Sequence, residues 1–137
     1  MYAPGKILIM GGGNVTNTAE MIDINTSGVA AFTAAAPMQL ARTFVTATLL
    51  ADGSVLATGG LSSTGTNDAP AVLPAELWSP PPPYGTGAAG TGTWTTMAAM
   101  AVPRQYHSTA VLLPDATVLS LGGGQGGSGL TTWDHPD

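Results

Sequence analysis

Tyr106 and His107 stand side by side in the string Arg-Gln-Tyr-His-Ser (Arg104–Ser108). A phenol and an imidazole are groups that bind metals and exchange protons near neutral pH. The same pair could equally be an aromatic packed between sheets and a hydrogen-bonded core histidine. The string has a counterpart earlier in the chain. Met38–Gly60 reads MQLARTFVTATLLADGSVLATGG and Met100–Gly124 reads MAVPRQYHSTAVLLPDATVLSLGGG, so Tyr106-His107 replaces Phe44-Val45. Chemistry could sit where the copies diverge.

Residues held in common by the copies read as structural. Arg42 and Arg104 recur 62 positions apart, and Asp52 and Asp115 recur 63 apart. The arginines are expected to hydrogen-bond between neighbouring units rather than to clamp a substrate. The aspartates fall at turns and are expected to cap them. Glu20 and Glu76 look like a paired acid and base, but each follows an alanine at the same place in its unit, which makes them structural. The stretch GGGQGGSG (Gly122–Gly129) is followed by neither a helix nor a Lys-Ser/Thr, so it is no phosphate loop.

Short strands must position these residues. Lys6–Met10, Ala19–Ile24, Val29–Thr33, Thr43–Leu50, Ser54–Thr58, Ala75–Trp78, Trp94–Met97, Tyr106–Leu113 and Thr117–Leu121 read as strands separated by Gly, Pro, Asn and Asp. Ala51-Asp52-Gly53 is a hairpin turn signal. In the matching turn Pro114-Asp115-Ala116, an alanine occupies a position that favours glycine. No window sustains a helical period without a Gly or Pro break. Ser79–Gly92 (SPPPPYGTGAAGTG) favours an extended polyproline conformation. It reads as a long exposed loop between two strands of one unit, with a proline-rich ligand as the alternative.

Composition excludes several functions. With 3 Lys/Arg against 8 Asp/Glu, the chain has no basic footprint for nucleic acid or for an anionic membrane. No segment approaches the apolar length of a membrane span, and no secretory signal is visible. The absence of cysteine rules out disulfides and thiolate chemistry within the chain. Sequons at Asn14 and Asn25 are short enough to arise by chance.

Hairpin, glycine pair, Ala-Glu strand and Trp strand make a four-strand unit of about 50 residues, the sheet of a propeller blade. The pairs Gly12-Gly13, Gly59-Gly60 and Gly123-Gly124, with Ala19-Glu20, Ala75-Glu76 and Trp94, resemble kelch repeats. The expected fold is all-β, a segment of about two and a half four-stranded antiparallel blades. It forms one partial propeller domain over 1–137, with units at about 1–50, 51–113 and an incomplete 114–137, and no second domain. Glycines at the strand ends are expected to let backbones pack closely around the axis. Open sheet edges imply completion by further blades of a longer chain or by other copies.

Beyond this, MYAPGKILIMGGG (Met1–Gly13), ARTFVTATLLADGSVLATGG (Ala41–Gly60), RQYHSTAVLLPDATVLSLGGG (Arg104–Gly124) and TTWDHPD (Thr131–Asp137) resemble the later blades of the galactose oxidase/glyoxal oxidase family of copper-radical oxidases. The resemblance implies a secreted parent protein that oxidises primary alcohols or aldehydes, carbohydrate among them, while O2 is reduced to hydrogen peroxide. It makes Tyr106 the axial phenol ligand of a copper and His107 an equatorial imidazole ligand, with Tyr106 also the catalytic base. Imidazole suits copper, and tetragonal N,O surroundings suit Cu(II). Adjacent residues of a regular strand point to opposite faces, so both can reach one metal only across a bend. The resemblance also implies a radical Tyr-Cys cross-link on an earlier blade and a histidine from a further domain. Neither is matched here. Tyr2 and Tyr84 do not fit the radical tyrosine, and His135 is not expected to be a ligand. Val45 stands where the family often has a pocket-lining histidine. The chain is therefore expected to be inactive alone, and the competing reading is a non-catalytic module that binds glycan or protein.

Overall fold

The computed structural model describes residues 1–64 and 71–123. Among these residues it is all-β, with nine strands in three antiparallel sheets. Strands β1 (Lys6–Met10), β2 (Ala19–Asp23) and β3 (Phe32–Ala34) form the first sheet in that order. Strands β4 (Thr46–Leu49), β5 (Val55–Thr58), β6 (Pro74–Ser79) and β7 (Thr93–Ala99) form the second. Strands β8 (Ser108–Leu112) and β9 (Val118–Gly122) form the third.

Each hairpin turn is set by the same short-range chemistry. In the β4–β5 turn the Leu50 amide donates to the Ser54 carbonyl at 2.8 Å, and the Asp52 carboxylate accepts from Ser54 N (2.9 Å) and Oγ (2.5 Å). In the β8–β9 turn Leu113 N donates to Thr117 O at 2.8 Å, and Asp115 accepts from Thr117 N (3.1 Å) and Oγ1 (2.7 Å). The expected turn-capping role of both aspartates holds. A third turn, Ala3-Pro4-Gly5, closes in the same way, with Tyr2 N donating to Lys6 O at 2.9 Å. Gly5, Gly53 and Ala116 occupy the left-handed position of the three turns, at φ 68°, 84° and 67°.

Because hairpins hold consecutive strands together, the sheets are offset from the expected sequence units. The boundaries at 50/51 and 113/114 fall inside the β4–β5 and β8–β9 turns, and most of 114–137 lies outside the described residues. The glycine register also differs by one position. Left-handed backbone occurs at Gly11, at Gly59-Gly60 and at Gly122-Gly123. The Ser79–Gly92 segment does join β6 to β7 of one sheet, yet it is not fully extended. Gly87 N donates to Pro80 O at 2.9 Å and Tyr84 N to Pro81 O at 3.1 Å, so the loop folds over a buried Pro80.

The core lies between the first two sheets. Leu8, Met10, Ala19 and Met21 on one side meet Val55, Ala57 and Trp78 on the other, with Tyr2, Ala35, Met38 and Trp94 filling the space. Tyr2 packs edge-on against Trp78 at 4.9 Å. Both indoles are paired: Trp78 Nε1 donates to Thr91 O at 3.3 Å, and Trp94 Nε1 to Ala36 O at 2.8 Å. Burying such a ring contributes roughly 4–6 kcal/mol at about 25 cal/mol per Å².

Glycine lets successive sheets approach. A Cβ on Gly59 would sit 2.3 Å from the Arg104 carbonyl oxygen, and Gly60 N donates to that oxygen at 2.8 Å. A Cβ on Gly11 would likewise sit 3.1 Å from the Arg42 carbonyl oxygen. The expected close passage of backbones at these strand ends is what the structure shows.

Candidate metal centre

The lead-in to β8 decides how Tyr106 and His107 are presented. Both were expected within a strand, but β8 begins at Ser108 and the pair forms a turn just before it. His107 has φ 63°, in the left-handed region, where histidine is tolerated better than most side chains. This is the bend that bringing two adjacent residues to one side requires. The two rings stack with centroids 3.7 Å apart and planes 28° from parallel. Phe44, at φ 55° in the turn before β4, packs edge-on against Tyr106 at 4.9 Å.

Neighbouring elements fix this cluster from below. Strands β4 and β8 run side by side, and Thr46 Oγ1 lies 3.4 Å from both the carbonyl and the hydroxyl oxygen of Ser108. Ser108 N donates to Gln105 O at 3.1 Å, which closes the Tyr-His turn. Gly123 lies beneath it, where a Cβ would meet Gln105 N at 2.9 Å. The three rings themselves face solvent: Phe44 is 49% exposed and Tyr106 39%, and His107 is exposed as well. Among the described residues neither Tyr106 nor His107 is packed between sheets.

The donor set is suited to copper but small. One imidazole and one phenol occur at the cluster, and no group of three or more His, Cys, Asp or Glu side chains converges anywhere among the described residues. His135 lies outside them. The phenol and the imidazole are two potential donors, both open to solvent.

Arg42, Arg104 and Glu76 have structural roles as expected, with two corrections, at the partners of Arg42 and at Glu20. Arg42 is fully buried, and its Nη2 meets Glu76 Oε2 at 2.6 Å and Pro74 O at 3.1 Å, while Nη1 donates to Gly59 O at 3.0 Å. These partners belong to its own sheet, not to a neighbouring one. Glu76 also accepts from the amides of Gln39 (2.5 Å) and Leu40 (3.3 Å). Burial pushes the Arg42 guanidinium down, and the Glu76 carboxylate opposes that shift. Arg104 repeats one of these bonds, from Nη1 to Gly122 O at 2.9 Å. Glu20 is exposed and stands apart from this network. Phe44 was missed as a member of the cluster. The repeat register that aligns it with Tyr106 was the available signal.

Two galactose oxidases from Gibberella zeae are each 32% identical to the chain over 129 residues, covering 88% of it and 18% of their own length. A fungal alcohol oxidase of the AA5 family, solved in complex with copper, superimposes with a TM-score of 0.77 at 31% identity, covering 91% of the chain and 26% of the oxidase. The chain is galactose oxidase-like. Its three sheets are a segment of a β-propeller. No protein-family model matches it. The galactose oxidase-like chain spans about a fifth of the length of the curated relatives it matches.

Proposed function

We propose that this chain is the part of a secreted copper-dependent oxidase that presents Tyr106 and His107 to the metal, within a longer protein that supplies the other blades and ligands. The carrying observation is the left-handed turn at His107. It puts an imidazole and a phenol on the same side of the chain, exposed and stacked at 3.7 Å. In this reading His107 would hold the copper through an imidazole nitrogen and Tyr106 through its phenol oxygen. Bound copper would supply the redox centre for oxidising a primary alcohol or aldehyde while O2 is reduced to hydrogen peroxide. In the same reading the Tyr106 oxygen takes the substrate's hydroxyl proton as general base. Phe44 and Tyr106 offer ring faces against which the substrate's carbon skeleton can lie.

The test is Cu(II) binding followed by electron paramagnetic resonance and calorimetry. The expected result is that His107→Ala lowers affinity at least tenfold and removes the imidazole-nitrogen hyperfine signal, while thermal stability falls only slightly, from the left-handed backbone at that position. Equal copper affinity in the variant would falsify the reading.

Exposed aromatic faces also favour a second reading, a non-catalytic glycan-binding module. Here Phe44→Ala and Tyr106→Ala would abolish binding of a galactose-bearing oligosaccharide by calorimetry, and His107→Ala would leave it intact. The two readings therefore part on His107.

A further inference from the structure

We propose that the cleft between the first sheet and the loop after β6 binds a neutral saccharide, with Tyr84 as its platform and the Lys6–Asp23 pair as its polar end. The cleft measures about 340 Å³, at the small end of ligand pockets. Tyr2, Lys6 and Asp23 line one wall, and Pro82, Pro83 and Tyr84 the other. It is remote from the rings of Phe44, Tyr106 and His107. Phe44 precedes β4, whereas Tyr84 follows β6, whose Trp78 pairs with Val55 at the far end of the β4–β5 hairpin. In that hairpin's turn, a Cβ on Gly53 would sit 3.7 Å from the Tyr84 carbonyl oxygen. The two sites therefore lie at opposite ends of the second sheet's strands.

Charge selects the ligand. Lys6 and Asp23 face each other across β1–β2, and Lys6 Nζ donates to Asp23 Oδ2. That bond holds the lysine above its usual pKa and the aspartate below its own, so both stay charged and cancel. Their side chains are still 20% and 34% exposed. An anionic ligand would compete with Asp23 for the ammonium, and a cationic one with Lys6 for the carboxylate. Neutral vicinal hydroxyls do neither, because they donate to the carboxylate and accept from the ammonium together. The other half of the cleft is apolar. Tyr84 is 40% exposed, with Tyr2 edge-on to its ring at 6.2 Å. Its ring is a rigid apolar face with a hydroxyl at one end, and the exposed Pro82 and Pro83 extend that face. A pyranose carries the matching halves, a face of C–H bonds and a rim of hydroxyls. This inference depends neither on copper nor on the rings around Tyr106.

Nuclear magnetic resonance of the whole, isotope-labelled chain tests it, by titration with methyl glucoside and with methyl glucuronide, which adds one carboxylate. The expected result is saturable shifts of the Lys6, Asp23 and Tyr84 amides with the glucoside, and weaker binding of the glucuronide. Tyr84→Ala should weaken glucoside binding at least fivefold, and Tyr84→Trp, which keeps an aromatic face, should retain it. Asp23→Asn leaves the Lys6 ammonium unpaired and should turn the preference toward the glucuronide. That variant also decides the matter if Tyr84→Ala, having lost its contact with Tyr2, does not fold. Absence of shifts overturns the proposal, as do shifts centred on Phe44 and Tyr106 or equal binding by a folded Tyr84→Ala. A preference for the glucuronide in the unaltered chain, or an unchanged preference in Asp23→Asn, overturns it as well.

Discussion

Ala116 holds a backbone conformation that its own side chain disfavours. At φ 67° it sits where the two matching turns carry glycine, Gly5 and Gly53. The left-handed conformation costs an L-residue about 1–2 kcal/mol, and a glycine in the unfolded chain costs about 0.4–1 kcal/mol in added entropy. Ala116→Gly is therefore expected to stabilise the chain by about 0.5–1 kcal/mol in urea unfolding; a lower midpoint would mean that the entropy term wins. The aspartate of each turn makes a separate, pH-dependent contribution. Side-chain and then backbone hydrogen bonds from Ser54 hold the Asp52 carboxyl below its usual value, and those from Thr117 do the same for Asp115. A depressed folded-state pKa means stability that is present above the ordinary aspartate value and lost as pH falls through the lower folded one. Melting temperature should thus drop from about pH 4 downward, and Asp52→Asn with Asp115→Asn should flatten that drop. A pH profile unchanged by both substitutions would remove this role. The strained alanine and the aspartate caps were both legible in the sequence, because turn chemistry is local. The bend at His107 was not, since a Tyr-His pair followed by an apolar run fits a strand equally well.

At the scale of elements, the second sheet is fastened by one buried ion pair. Arg42 and Glu76 are both fully buried, and together they join the lead-in of β4 to the end of β5 and to β6. Removing one partner leaves the other charge in a site without water, a loss of about 3–5 kcal/mol. Arg42→Met is expected to reach that range in chemical unfolding. The double variant Arg42→Met/Glu76→Met should recover part of it, because no charge is then stranded, while the Gln39 and Leu40 amides still lose their acceptor. A double variant less stable than Arg42→Met would contradict this account. Eight of the nine strands were legible from alternation and turn residues, and Glu76 from its repeat register; the third, expected at Val29–Thr33, lies at Phe32–Ala34. That Arg42 pairs with Glu76 was not, because the two lie 34 residues apart and meet only once β5 is hydrogen-bonded between them. The contact between the second and third sheets rests on Gly59, which is left-handed at φ 68° and lies under the Arg104 carbonyl.

For the whole molecule, the described residues form three sheets of three, four and two strands. Ile9 and Phe32 are exposed on the first sheet, and Val111, Leu119 and Leu121 on the third. Packed sheets normally bury such residues. The family resemblance was legible because Arg-x-Tyr-His-Ser and the turn strings lie in continuous stretches of sequence. Two-electron oxidation of an alcohol needs a metal held in a defined geometry and a second redox partner. This chain offers the exposed Tyr106-His107 pair, has no cysteine, and gathers no third His, Asp or Glu among its described residues. A phenol and an imidazole can capture Cu(II), but two such ligands alone do not supply a second electron acceptor. The purified chain with copper and galactose or glyoxal is therefore expected to make no more hydrogen peroxide than copper and substrate alone, as read by a peroxidase-coupled assay. Peroxide above that background, lost in His107→Ala, would mean that the ligands and the redox partner are already present within these 137 residues. Peroxide equal to it, alongside copper binding that depends on His107, would mean that the redox partner is not supplied by these residues.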